Sequence, residues 1–338
     1  MTTKVLICDD SGLARKQMAR ALPGDWGVET LFAVDGLDGL EKLRAGEAEI
    51  LFLDLNMPEL DGYGVLEAIN REDLPVLTVV VSGDIQPQAR ERVKKMGAID
   101  FIKKPTDPQV IAKLLQDYGL YRPGEEPESG PEVEENTAAA APAPIGLNEY
   151  LQEVSNVAMG RAADLLARLL NVFVKLPVPR VAMIAKSELS MALSAADESS
   201  YSAVCQGFIG AGIAGEALLL FSDSSFDDMA RLLQYDDPSS EAVQVEVLMD
   251  MSSILFGAFL KGLGDQLDLK LGLGHPMVLG QHRRISDLLE HHSRNPEQLL
   301  AIEINYQIEG QAISCDLLVL LTEDSIPHLE KGLFYLAG

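Results

Sequence analysis

Five short apolar runs, near residues 4–8, 28–33, 49–54, 76–82 and 99–102, alternate with five amphipathic stretches, near 12–22, 36–45, 62–70, 87–96 and 107–118. Such alternation predicts a parallel sheet covered by helices on both faces. Each of four runs delivers a polar group at or just beyond its end. Val5-Leu-Ile-Cys8 leads into Asp9-Asp10, and Leu51-Phe-Leu leads into Asp54. Val76 to Val81 ends at Ser82, and Ile99 to Ile102 is followed by Lys104-Pro105. Ligands of open α/β sheets bind at the carboxyl ends of the strands. Three carboxylates, a hydroxyl and a lysine are therefore expected at one place. Carboxylate oxygens can hold a hard divalent cation, while a lysine and a hydroxyl can neutralise and hydrogen-bond phosphoryl oxygens. A single Asp at a strand end often does no more than cap a helix. Capping does not account for all five groups together.

This constellation resembles the response-regulator receiver domain over roughly residues 1–120, with a flavodoxin-like (βα)5 fold as the implied architecture. By that resemblance Asp54 is the phosphoacceptor, charged by a sensor histidine kinase. Asp9, Asp10 and Asp54, with the backbone carbonyl of Asn56, would hold Mg²⁺. Ser82 and Lys104 would bind the phosphoryl group once attached, and Phe101 falls where such domains keep an aromatic switch residue.

The chain has 338 residues, room for two or three domains, and its 47% hydrophobic content supports real cores. A net charge of −25 argues against nonspecific nucleic-acid binding, which rests on Lys and Arg neutralising phosphates. Met1-Thr-Thr-Lys-Val lacks a signal peptide's charged and apolar regions. No run approaches the roughly 18 apolar residues of a spanning helix, so no membrane partner and a cytoplasmic location are expected. Cys8, Cys205 and Cys315 stand singly in apolar runs and read as buried small hydrophobes.

The expected divisions are 1–122, 123–146 and 147–338. Residues 123–146 hold six glutamates, no basic residue and almost no large apolar side chain. Such a stretch cannot bury enough surface to offset its ordering entropy and is expected to be a disordered acidic linker. Beyond it lies an internal repeat. Glu149, Glu153, Asn156 and Gly160 precede Pro179; Glu246, Asp250, Ser253 and Gly257 precede Pro276, each 97 residues after its counterpart. Both sets lie on long amphipathic segments, about 147–173 and 241–263, at spacings that put each set on one helical face. Leu151, Val154, Leu165 and Leu169 form another face of the first. Strand-like runs follow at 181–193, 202–210 and 215–221, then at 266–273, 299–308 and 311–321. Short helices near 225–234 and 325–335 close the halves. The expectation is an α+β domain of two copies about a pseudo-two-fold axis, with both marked helices on the surface.

Glu153-Val-Ser-Asn156, with 22 residues between Asn156 and Pro179, resembles the signature of the CheC/CheX/FliY phosphatases, which hydrolyse the aspartyl phosphate of CheY-type receivers. An acyl phosphate is already activated toward water, so the enzyme mainly has to place a water in line with the leaving oxygen. By the resemblance, the Asn156 carboxamide places that water and Glu153 salt-bridges the receiver's lysine. Gly160 would allow close approach, and no second metal is required. In the second copy Asp250 is one methylene short and Ser253 has no carboxamide, so that site is read as impaired. Glu149 and Glu246 sit where the family usually has Asp or Ser.

Gly210-Ala-Gly212-Ile-Ala-Gly215 spells a dinucleotide fingerprint but leads into an apolar strand-like run and is read as a hairpin turn. His291-His292 reads as an exposed polar loop without metal-ligand spacing. The combined expectation is a chemotaxis-type response regulator whose output domain dephosphorylates a receiver, in trans, in cis or both. The alternative is a phosphorylation-switched adaptor or homodimerising module with a decayed phosphatase domain.

Overall fold

In the computed structural model, residues 3–124, 146–185, 200–237, 240–284, 288 and 298–337 are described. The expected linker core, His291-His292 and residues 186–193 of one expected strand lie outside them. The chain forms two compact units: one of residues through Gly83 with Pro87–Glu153, the other of Asp84–Gln86 with Val154–Gly338.

In the first unit, strands β1 (Thr3–Cys8), β2 (Val28–Ala33), β3 (Ile50–Leu53), β4 (Leu77–Ser82) and β5 (Asp100–Lys103) alternate with helices α1 (Gly12–Ala21), α2 (Gly36–Arg44), α3 (Gly62–Glu72), α4 (Pro87–Lys95) and α5 (Pro108–Asp117). All strand pairs are parallel, in the order β2-β1-β3-β4-β5. Period-2 alternation splits the core cleanly. Leu6, Leu51, Leu53 and Val80 belong to one buried cluster. Val5, Ile7, Ile50, Phe52, Val79 and Val81 belong to the other. Burial on both faces explains why the strands are apolar throughout. Helix α6 (Leu147–Leu170) begins in this unit and continues in the second.

The second unit adds β6 (Val174–Lys175), β7 (Arg180–Ala185), β8 (Tyr201–Gly210), β9 (Ile213–Ser222), α7 (Phe226–Leu232), α8 (Glu241–Gln266), β10 (Gly272–Leu273), β11 (Met277–Arg283), β12 (Gln298–Ile308), β13 (Ser314–Thr322) and α9 (Ile326–Ala337). Its sheet is antiparallel, ordered β10-β8-β9-β13-β12-β6, with β11 also on β8 and β7 also on β12. That order reads alike from both ends. Leu218 pairs with Leu318 at the centre of the β9–β13 ladder. Buried Ser225 and Ser325 make matching clasps: Ser325 Oγ donates to Ala214 O at 3.1 Å, and Ser225 Oγ donates to Ala312 O at 3.3 Å. Between β8 and β9, Ala211 and Gly212 both have positive φ, 53° and 83°. Two such residues make the tight turn whose twist suits a hairpin, so the glycine-rich string is a turn.

Three expectations are corrected. Residues 266–273 were expected as strand, but α8 runs to Gln266 and closes through the left-handed Asp268, φ 53°. Leu269 N then donates to Gly264 O at 2.8 Å, satisfying a terminal carbonyl. Leu165 and Leu169 are exposed, at 48% and 57%, instead of extending the buried face of α6. The expectation of no span-length apolar segment also fails, because serines and glycines interrupt the apolar run without making it polar. Among the described residues α8, at 26 residues, is long and apolar enough to cross a membrane. Within the unit, Val247, Leu248, Met251, Leu255, Phe256, Phe259 and Leu260 on this helix are buried core.

Candidate functional site

The strand order places the reversal of direction between β1 and β3, and Asp9, Asp10 and Asp54 follow those two strands. None of the three is a helix cap. Ser11 caps α1 by accepting from Ala14 N at 3.1 Å, and Asp61 caps α3 by accepting from Gly64 N at 2.7 Å. The strand-end carboxylates are thereby left to the site. Each can offer an oxygen within 4.8 Å of the others. Asp9 also accepts from Ser11 N at 2.9 Å, and Asp54 accepts from Asn56 N at 3.1 Å. Gly62 is required close by, since a Cβ there would lie 2.2 Å from the Asp54 carbonyl oxygen.

Lys104 sits at the centre. Its Nζ is 2.7 Å from Asp9 Oδ2, 3.2 Å from Glu153 Oε1 and 3.4 Å from Asp54 Oδ1. Burial works against its charge, but Asp54, Asp9 and Glu153 outweigh it and hold its pKa well above the usual value. Burial, together with Asp9 and Glu153, raises Asp54, against the pull of Lys104. Burial also raises Glu153, again opposed by Lys104. Asp10 is pushed up to about 7, by burial first and then by Asp9 and Asp54. Crowded carboxylates that resist ionisation suit a divalent cation, which neutralises them together. An all-oxygen donor set fits Mg²⁺, with Asp9, Asp10, Asp54 and Asn56 as its expected holders. Ser82 is fully buried at the end of β4, and its carbonyl accepts from Lys104 N at 2.9 Å. Phe101, on β5, is half-buried against one core cluster.

The first turns of α6 add residues that the sequence reading did not place here. Gln152 Nε2 donates to Asp10 Oδ2 at 3.1 Å, and Gly12 N donates to Glu149 Oε1 at 2.6 Å. The spacing of 149, 152 and 153 on one helical face was the available signal. The expected exposure of both marked helices holds for one only. Glu153 and Asn156 are buried, at 7% and 4%, whereas Glu246, Asp250 and Ser253 are exposed. For Glu153 the reason is its ion pair with Lys104. Asp250 accepts from Tyr235 Oη at 2.9 Å.

The family model for the response regulator receiver domain matches residues 5–116, about a third of the chain. Residues 5–116 form a receiver domain. The chain is 39% identical over 105 residues to protein-glutamate methylesterase/protein-glutamine glutaminase 5 of Myxococcus xanthus, covering 30% of each chain. It is 32% identical over 157 residues to the corresponding protein of Symbiobacterium thermophilum, covering 46% of this chain and 43% of that one. It thus spans less than half the length of these relatives. The crystal structure of Thermotoga maritima FliY aligns at TM-score 0.43 and 16% identity, over 56% of this chain and 96% of that one.

Proposed function

We propose that this chain is a response regulator, phosphorylated on Asp54 by a sensor histidine kinase, whose second unit is a CheC-like phosphatase of receiver aspartyl phosphates. The observation that carries the reading is the ion pair between Glu153 and Lys104. The glutamate singled out by its resemblance to a phosphatase signature engages a receiver lysine, the partner that the resemblance assigns to it. The sheet order that reads alike from both ends, with its matched Ser225 and Ser325 clasps, supports a duplicated domain.

In this reading, Asp9, Asp10, Asp54 and the Asn56 carbonyl would hold Mg²⁺, which would supply positive charge beside the phosphoryl oxygens. Lys104 and Ser82 orient those oxygens. Glu153 fixes the approach of α6 through Lys104, and Asn156, one turn further along, accepts a hydrogen bond from the attacking water. Positioning is the main contribution, because the acyl phosphate needs little further activation. The chain then works in the cytoplasm, where such kinases and receivers meet.

The test is to mix the purified protein with a phosphorylated CheY-type receiver and follow release of inorganic phosphate. Release above the receiver's own rate, lost in Asn156→Ala, is the expected result. The adaptor reading is favoured by one feature, the exposed Asp250 tied to Tyr235 beside Ser253. Receiver binding without phosphate release would establish it.

A further inference from the structure

The first turns of α6 grip the receiver domain of their own chain at three points. Glu149 takes the Gly12 amide at the start of α1, Gln152 takes the Asp10 carboxylate, and Glu153 takes Lys104. The three receiver groups come from two strand ends: Asp10 and Gly12 follow β1, and Lys104 follows β5. A carboxylate at a helix N-terminus is favoured by the unpaired amides and the dipole there.

We infer that the receiver domain of this chain is the substrate of its own α6, so that phosphorylation of Asp54 is self-terminating. This inference rests on the phosphatase reading above and adds the substrate. The water oxygen bonds to phosphorus as the bond from phosphorus to the Asp54 oxygen breaks. Asp54 leaves as a carboxylate, and the two water protons go to the departing inorganic phosphate. Because enzyme and substrate are tethered, the reaction proceeds at the effective concentration set by the chain and not by the solution. A separate receiver must then compete with the tethered one for the same helix face.

The experiment labels the intact chain at Asp54 with a small phosphodonor and Mg²⁺, removes the donor, and follows loss of the label. Asn156→Ala supplies the uncatalysed rate. The expected decay is first-order, faster than in Asn156→Ala, with a rate constant unchanged on serial dilution. Gly12→Leu alters only the receiver side, where even a Cβ would lie 2.6 Å from Glu149 Oε1. It should slow the decay about tenfold, the scale of a lost positioning contact. Its activity toward a separate phosphorylated CheY-type receiver should be undiminished. Gly12→Ala provides a milder receiver-side change at the same point, and labelling to at least the wild-type extent shows that each variant folds. A rate constant that scales with protein concentration would overturn the inference. So would wild-type decay in both variants. Phosphate release from a separate receiver, with the chain's own label decaying no faster than in Asn156→Ala, would overturn the inference and leave the phosphatase reading standing. Release from neither would remove both.

Discussion

The Lys104 ammonium lies 2.7 Å from Asp9 Oδ2 and 3.2 Å from Glu153 Oε1, so a strand-end aspartate and a helix glutamate distant in sequence share one cation. A buried charge pair is costly to break, because the partner left behind keeps its desolvation penalty. Glu153→Lys should therefore weaken binding of a CheY-type receiver at least tenfold, through repulsion between like charges. Binding titrations with Asn156 intact measure it, and unchanged affinity would detach Glu153 from receiver recognition.

Phosphorylation should occur at Asp54 alone. Small phosphodonors with Mg²⁺ should label the wild type and leave Asp54→Asn unlabelled, as read by intact mass. Lys104→Ala should still be labelled, but the environment of Phe101 should no longer respond. Labelling of Asp54→Asn at the wild-type level would show that the acidic site is not the acceptor.

The two long helices should differ in catalysis. Asn156→Ala should lower phosphate release roughly a hundredfold, the usual scale for losing a group that positions a reactant. Ser253→Ala and Asp250→Ala should change the rate less than twofold. Equal losses from both helices would mean that α8 carries a working site as well.

Asp84 provides a pH test. Burial raises it to about 6, although Gln86 N donates to its Oδ1 at 3.0 Å. An acid whose pKa is raised on folding binds its proton more tightly in the native state. Its contribution to stability then falls as pH rises from about 4 to about 6 and is flat above. Asp84→Asn should remove that slope and be more stable than wild type at pH 7 by about 2–3 kcal/mol. Denaturant melts of both proteins across this range give the difference, and a pH-independent difference would contradict the assignment.

Legibility in the sequence followed chemistry more closely than packing. Asp9, Asp10, Asp54, Ser82 and Lys104 could be read because each ends or follows an apolar run, and the parallel fold gathers such ends at one edge. The burial of Glu153 could not be read, since an acidic helix residue looks solvated until its partner cation is known. Strand β11 was missed for a different reason. Met277–Arg283 is largely exposed and shifts register twice against β8, so it lacks the alternation that marks a strand. Leu165 and Leu169 misled in the opposite sense, because their spacing is that of a buried face while their side chains are open.

The sheet of the second unit hangs its outer strands crosswise. Strands β6 and β7, before β8, attach to β12, and β10 and β11, before β12, attach to β8. Each half of the sequence therefore completes the other's hydrogen bonding, and neither is dispensable as a building part. The segment carrying Asp250 and Ser253 is then free to drift chemically on its exposed helix face while remaining architecturally indispensable. Mutational tolerance should accordingly be high on the outer face of its helix and low along its strands.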